Sequence, residues 1–192
     1  MSQDQFLEVI DRDEAERRFR AALRLEPLEA EEVALEKCLD RVLAEDIVAG
    51  VDVPSFDRSN YDGYAVRAAD TFGASEEMPR RLKLLDEVIA TGVVPQAEVG
   101  PGEAVTVATG GMIARGADAV VMLEYTDIEG GAEGTRSDTV PTLVVRHAVT
   151  AGFGISFTGS DIAAGETVLR RGEVLTSRET GVLAAVGRAR VL

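Results

Sequence analysis

Glycine and proline divide the chain from about residue 51 onward into short apolar runs, and this pattern limits the fold more than any other feature of the sequence. The runs are rich in β-branched residues, which favour pleated, half-buried strands. They cover residues 82–90, 104–108, 117–123 and 140–149. The glycine-rich residues 129–135 indicate the tip of a hairpin, since glycine weakens the interior of a strand. We therefore predict that the middle of the chain is mostly β.

The N-terminal end of the chain carries a helix signal. Residues 11–25 form an amphipathic pattern, with Asp11 or Asp13 available as the N-terminal cap and Pro27 as the stop. The apolar face of this helix consists of Ala15, Phe19, Ala22 and Leu23. Residues 31–45 mix apolar and charged side chains closely, and we predict a short helix that leads into a strand.

A second helix signal lies near the C-terminus. Thr176-Ser177-Arg178-Glu179 has the spacing of a capping box, in which the threonine and the glutamate each satisfy a backbone amide at the start of a helix. The apolar residues 181–186 follow, and Gly187 provides a stop. The sequence therefore predicts a short helix at this end of the chain.

The composition limits the class of partner. The 192 residues are 45% hydrophobic, which is enough for one ordinary domain or two small ones, and the formal net charge is −14. Such a charge argues against a nucleic-acid binder, which needs a basic surface to replace the counterions of the phosphates. We expect a small-molecule or protein partner; an anionic substrate remains possible, because a local pocket can be positive or lined with backbone N–H groups.

No apolar run is long enough for a membrane span or for the core of a signal peptide, so we expect no membrane association and a soluble, cytoplasmic protein. Cys38, the single cysteine, is expected to be a small buried hydrophobe. His147, the single histidine, lies in an alternating run that predicts a position on a strand face. A histidine-based triad would need this residue, and a zinc cluster of histidine and cysteine cannot be assembled. Carboxylates, hydroxyls and backbone groups would carry any catalysis.

Three polar residues next to glycine are the candidates for a functional site. Asp62 precedes Gly63, Thr109 precedes a pair of glycines, and Asp161 follows Gly159-Ser160. Glycine lets the backbone turn sharply or approach a ligand closely. Each position also has a plain structural reading: Asp-Gly is a common hairpin turn, and threonine or aspartate often caps a turn through its own backbone. The two readings stay open for each residue taken alone.

Taken together, these segments resemble the N-terminal half of the MoeA family, the molybdopterin molybdenumtransferases of molybdenum cofactor synthesis. The resemblance runs along most of the chain and also includes residues 41–46, 54–59, 116–124 and 172–187. It implies that the whole protein inserts molybdate into adenylylated molybdopterin with a divalent metal such as Mg²⁺ and releases AMP. It also implies an active-site cleft between the subunits of a homodimer.

The resemblance assigns roles to individual residues. Asp62, Thr109 and Asp161 match acidic and hydroxyl residues of the family's active site and are the expected catalytic residues. Their neighbours Ser59, Gly63 and Gly110 are expected to contact the substrate. Asp62 and Asp161 are also the expected magnesium ligands, and carboxylate oxygens suit that ion. A threonine hydroxyl beside glycines can donate to a phosphate or molybdate oxygen.

The chain departs from the family pattern at several positions. Asn60-Tyr61 replaces the family's Ala-Met, and Ser160 replaces a glutamate. Residues 109–114 lack the two prolines of the family's second loop, which raises the entropy of that loop. Residues 155–158, often arginine-bearing in the family, carry no cation here, which weakens the binding of an oxyanion.

The resemblance finally implies the organisation of the chain. The expected fold is α+β with two lobes: a β-rich, partly barrel-like domain over residues 54–149 is inserted into a mixed α/β dimerisation lobe built from residues 1–53 and 150–192. The family's pterin-binding domain is absent from these residues, and we expect the chain alone to be inactive in molybdate insertion. The alternative is a non-catalytic dimerisation or regulatory module of the same fold, joined to some other C-terminal domain.

Overall fold

The computed structural model describes residues 10–24, 26–130 and 140–192. The described helices are Arg12–Ala22 (α1), Ala68–Thr71 (α2) and Ser177–Ala185 (α3). The described strands are Val33–Ala34 (β1), Ile47–Val48 (β2), Arg58–Ser59 (β3), Gly63–Val66 (β4), Arg80–Ile89 (β5), Glu103–Val107 (β6), Ala119–Met122 (β7), Thr126–Glu129 (β8), Thr142–Val145 (β9), Ile155–Ser156 (β10), Thr167–Leu169 (β11) and Arg190–Val191 (β12). None of the described helices combines the length and the apolar character needed to cross a membrane.

The two longer helices begin at caps that the sequence predicts. The Asp11 carboxylate accepts the N–H of Glu14 at 2.8 Å and caps α1, which ends at Ala22, a few residues before the predicted end. The capping box of α3 is present in full, with Thr176 at the N-cap and Glu179 as its acidic partner. Both caps satisfy backbone donors that a helix leaves unpaired at its first turn.

The middle of the chain forms one six-stranded sheet, in the order β7-β4-β6-β5-β9-β8. Its pairs are antiparallel except for β5 and β6, which run parallel. The edge strands β7 and β8 are consecutive in the chain, and only the 3₁₀ turn Leu123–Tyr125 separates them. A flat sheet would place its two edges far apart, so this short connection requires the sheet to curl. The predicted α+β fold with a β-rich, partly barrel-like sheet is confirmed.

The curled sheet carries apolar side chains on both faces. One cluster contains Tyr64, Val66, Leu82, Val121, Leu143 and Val145 among its members. The other contains Ala65, Ile89, Val105, Val107 and Val120. Strand β4 contributes to both clusters because successive side chains of a strand point to opposite faces. This explains why β4, which lies between β7 and β6, is buried along its whole length.

A third apolar cluster joins residues from the two ends of the chain. Its buried members are Cys38, Leu43, Ile47, Ala49, Leu169, Leu175, Leu183, Val186 and Val191. Two short antiparallel pairs, β1 with β12 and β2 with β11, connect the same regions. The buried position of Cys38 confirms its predicted role as a small core residue. The domain boundaries at residues 54 and 149 stay a prediction.

Several local expectations differ from the structure. Strand β3 pairs with β10, whereas β4 pairs with β6 and β7, so the hairpin reading of Asp62-Gly63 is wrong. Strand β9 ends at Val145, which leaves His147 beyond the strand, stacked on Tyr125 at 4.8 Å between ring centroids. The predicted helix within residues 31–45 is reduced to the 3₁₀ turn Leu35–Lys37. Most of the predicted hairpin tip at 129–135 lies outside the described residues.

Candidate functional site

Three chain segments meet around the candidate residues. We call residues 57–62 the central loop, residues 109–113 the threonine loop and residues 153–161 the aspartate loop. Strand β3 of the central loop pairs with β10 of the aspartate loop, with Ser59 opposite Ile155. On the other side, the N–H of Ser59 donates to the Gly111 carbonyl at 2.9 Å, and the Gly110 N–H donates to the Ser59 carbonyl at 2.7 Å. The central loop therefore lies between the other two loops.

Asp62 and Thr109, two of the predicted catalytic residues, are in direct contact. The carboxylate Oδ1 of Asp62 accepts the backbone N–H of Thr109 at 2.7 Å and the hydroxyl of Thr109 at 3.1 Å. The pKa of the Asp62 carboxyl is lowered from its usual value, first by the backbone hydrogen bond and then by the hydroxyl. The exposed carboxylate is thus ionised and held in one orientation at neutral pH.

Asp161, the third predicted catalytic residue, lies on the opposite side of the central loop from this pair. Its N–H donates to the carbonyl of Val53 at 2.9 Å. Its carboxylate Oδ2 is 3.9 Å from the Arg58 guanidinium, with both side chains about half exposed. At this distance and exposure an ion pair adds at most about 1 kcal/mol to stability. Among the described hydrogen bonds and ion pairs, Asp161 is tied to the central loop through Arg58 and not through Asp62.

Each of the three residues predicted to contact the substrate has a role within the fold. The hydroxyl of buried Ser59 donates to the Tyr61 carbonyl at 2.6 Å and accepts the Tyr61 N–H at 3.2 Å. Gly110 turns the chain at a φ of 78°, which favours glycine. Gly63 is the buried first residue of β4, where a side chain would meet the backbone of Val121. These contacts give each residue a structural role, and ligand contact by them stays a prediction.

The acidic residues suit magnesium as partial ligands. Within residues 10–24, 26–130 and 140–192, no group of three or more His, Cys, Asp or Glu side chains gathers into a metal site. Magnesium usually takes only one or two protein carboxylates, and water and substrate phosphates complete its shell. Among the described hydrogen bonds of the Asp62 carboxylate, only Oδ1 is an acceptor. Its other oxygen therefore suits such an ion, as does the exposed carboxylate of Asp161.

Sequence reasoning missed a second carboxylate that orders the site. Oδ1 of Asp57 accepts the backbone N–H of Thr158 at 2.8 Å and its hydroxyl at 2.9 Å. This repeats, on the aspartate-loop side, the arrangement of Asp62 with Thr109. The partners are 101 positions apart in the chain. No local pattern could have indicated such a pair, because the contact depends on the pairing of β3 with β10.

Two further contacts join the central loop to the aspartate loop. The Ser156 hydroxyl donates to the side-chain oxygen of Asn60 at 2.6 Å. The rings of Tyr61 and Phe153 stack with their centroids 6.1 Å apart. Asn60 and Tyr61 were identified in the sequence only as departures from a family pattern, and the sequence offered no partner for either.

Comparison with known protein families agrees with the resemblance seen in the sequence. Residues 10–187 match the family model described as "MoeA N-terminal region (domain I and II)". The matched range contains all three loops of the candidate site.

Individual relatives cover the same range. The chain is 45% identical over 163 residues to the molybdopterin molybdenumtransferase of Bacillus subtilis (strain 168), a match that spans 85% of this chain and 36% of the relative. It is 41% identical over 159 residues to the protein of the same name from Staphylococcus aureus (strain MSSA476), spanning 83% of this chain and 35% of the relative. The chain thus spans about a third of the length of these relatives.

Solved structures show the same similarity. The crystal structure of the molybdopterin biosynthesis MoeA protein from Pyrococcus horikoshii superposes with a TM-score of 0.75 at 42% sequence identity. The superposition covers 84% of this chain and 40% of that protein.

Proposed function

Because the chain belongs to the family of MoeA N-terminal regions, we propose that it acts in molybdenum cofactor biosynthesis as the N-terminal region of a molybdopterin molybdenumtransferase. The observation that carries this proposal is the Asp62–Thr109 pair. Thr109 lies 47 positions from Asp62 in the chain, and its two hydrogen bonds hold the exposed, ionised carboxylate of Asp62 in place. A carboxylate of this kind is suited to hold a metal ion or to order its waters beside an oxyanion.

The proposed division of work follows from the groups present. Thr109 fixes the orientation of the Asp62 carboxylate through Oδ1, so the other oxygen is left for a metal or its water. Asp161 offers a second exposed carboxylate beside Arg58. Magnesium bound there would neutralise charge on the phosphate and molybdate oxygens of the substrates. The substrates in this proposal are adenylylated molybdopterin and molybdate.

The whole reaction needs more than these residues in our proposal. Matched relatives are about three times as long as the part that this chain covers. We propose that a pterin-binding domain outside the 192 residues holds the pterin, and that the three loops close over it across the subunits of a cytoplasmic homodimer. The 192-residue chain alone is expected to show no molybdate insertion.

A non-catalytic dimerisation or regulatory module is the second candidate. It is favoured by the aspartate loop, where residues 155–158 carry no cation for an oxyanion. Two side chains of this stretch are instead bound to the central loop: the Ser156 hydroxyl to Asn60 and the Thr158 hydroxyl to Asp57.

A chimera distinguishes the two candidates. The chain replaces the matching region of the Bacillus subtilis relative and is tested for complementation of a strain that lacks that relative. The enzyme reading predicts that the chimera restores cofactor synthesis and that Asp62→Asn, which keeps the shape of the side chain but removes its charge, abolishes it. Asp86→Asn, at an exposed aspartate on β5, is the matched control and should complement normally.

Two outcomes of the chimera experiment would count against the enzyme candidate. Full complementation by the Asp62→Asn chimera would show that the carboxylate has only a structural role. A chimera that accumulates as a folded protein but does not complement would favour the module.

A further inference from the structure

Successive residues of the central loop bind in turn to the aspartate loop and to the threonine loop. Asp57 binds the aspartate loop through its carboxylate, and Ser59 binds the threonine loop through its backbone. Asn60 and Tyr61 return to the aspartate loop, and Asp62 then reaches the threonine loop. These contacts therefore lie directly before the point where the chain passes through Asp62 into β4.

The contacts of Asn60 and Tyr61 converge on one turn of the aspartate loop. The Asn60 N–H donates to the Gly154 carbonyl at 2.8 Å, and its side-chain oxygen accepts the Ser156 hydroxyl at 2.6 Å. The Tyr61 ring stacks on Phe153 with 28° between the ring planes. The ring also lies over Gly154, where an added Cβ would be 3.3 Å from the tyrosine Cδ2 and 3.0 Å from Cβ of Val120.

Gly154 has a φ of 75°, a conformation that suits glycine and few other residues. The turn at Gly154 is thus shaped to receive a ring and a backbone N–H at the same place. Two side-chain contacts and one backbone hydrogen bond fix the residues directly before Asp62. The N–H of Leu123 then donates to the Asp62 carbonyl at 3.2 Å and fixes the loop from the side of the sheet.

We propose that Asn60 and Tyr61 are positioning residues, which anchor the central loop to the turn at Gly154 and thereby hold the Asp62 carboxylate against Thr109. The effect on a reaction rests on the proposed function, whereas the positioning itself concerns only contacts within the chain. Tyr61 acts here through its ring, because its described contact with the aspartate loop is the stack on Phe153 and the packing over Gly154.

Positioning and general stabilisation predict different patterns of amide hydrogen exchange in the purified 192-residue protein. The Thr109 N–H donates to Asp62 and reports directly on the position of the carboxylate. Removal of an aromatic stack should shift the local equilibrium between the closed and the open loop toward the open form by between about twofold and tenfold. We expect Tyr61→Ala to accelerate exchange at Thr109 by that factor, while Val105 and Val144 in the sheet exchange as before.

Further variants separate the causes. Tyr61→Phe keeps the ring and should leave exchange at Thr109 unchanged. Ser156→Ala removes the hydroxyl that binds Asn60 and should accelerate exchange at Thr109 by about twofold or more without disturbing the core. Tyr125→Ala is the matched control, because this tyrosine is also 39% exposed and stacks on His147 with the same 28° between planes. It should leave exchange at Thr109 unchanged.

Unchanged exchange at Thr109 in both Tyr61→Ala and Ser156→Ala would overturn the proposal. Equal acceleration at Thr109 and in the sheet would also overturn it, since it would show general destabilisation. The measurement needs no cofactor and no activity. If the chimera fails to complement, the exchange result at Thr109 still stands. If exchange at Thr109 does not change, the proposed function is still decided by the complementation test.

Discussion

Replacement of Gly63 by alanine should destabilise the protein because β4 has no space for a side chain at this position. An added Cβ would lie 3.0 Å from the carbonyl carbon of Val121 and 3.2 Å from Cα of Met122, and closer still to the Val121 carbonyl oxygen. Favourable contacts between carbon atoms occur at about 3.5–4.0 Å. All three atoms belong to the backbone of β7, so no side-chain rotation can relieve the overlap.

The cost follows from the position of β4 in the sheet. Gly63 pairs with Val107 of β6 on one side and with Met122 of β7 on the other, so a shift of β4 disturbs two sets of hydrogen bonds. Overpacking a tightly packed site costs about 1–3 kcal/mol, and a weakened hydrogen bond costs about 1 kcal/mol more. We expect Gly63→Ala to lower the free energy of unfolding by about 3 kcal/mol. For a protein of this size the Tm should fall by about 6–12 °C.

Urea and thermal unfolding, followed by circular dichroism, measure this change. Gly181→Ala is the matched control, since Gly181 lies within α3 and an added Cβ would have no atom within 4 Å. Alanine is favoured over glycine in a helix by about 0.5–1 kcal/mol, so this variant should be slightly more stable than the wild type. If Gly63→Ala unfolds within about 0.5 kcal/mol of the wild type while the control behaves as expected, the argument from close strand contact is refuted.

Two further predictions concern the ends of the chain. Hydrogen bonds from the Thr176 side chain, and smaller contributions from its N–H and from Arg178, lower the pKa of Glu179 to about 2. The ionised Glu179 carboxylate stabilises the protein fully above the usual pKa of a glutamate, and this stability is lost as the pH falls toward 2. The Tm of the wild type should therefore drop more between pH 5 and pH 2.5 than the Tm of Glu179→Gln. Helix α1 has no buried residue, and 66% of Phe19 is exposed. Because an isolated helix of 11 residues is only marginally stable, we expect a partner subunit to cover α1. Sedimentation should give twice the chain mass of 20.4 kDa, with Phe19→Glu shifted toward the monomer, and a wild-type monomer at micromolar concentration would contradict the homodimer.

The elements that the sequence predicted well are those with local causes. The start of α1 follows from Asp11, and the start of α3 follows from the capping box, because each cap binds a backbone N–H within one turn. Strands β5, β6 and β7 were expected from their β-branched runs between glycines. In each case the interactions that define the element lie within a few residues of one another.

The curl of the sheet and the pairing of the short strands have no local cause. Strands β3 and β10 contain two residues each, which is too short for a periodic pattern. Asp62-Gly63 has the composition of a hairpin turn, yet the close approach of β7 requires the glycine. The parallel contact of β5 with β6 likewise depends on a crossover that residue preferences do not specify.

The contrast between local signals and long-range contacts also applies to the candidate site. It identified Asp62, Thr109 and Asp161 by their glycine neighbours and their family pattern, but not which of them meet. The structure joins Asp62 to Thr109 across 47 positions. Asn60 and Tyr61 contact the aspartate loop instead, on the other side of the central loop. Since the contact between Asn60 and Ser156 spans 96 positions, local sequence patterns could not reveal the proposed support of the carboxylate.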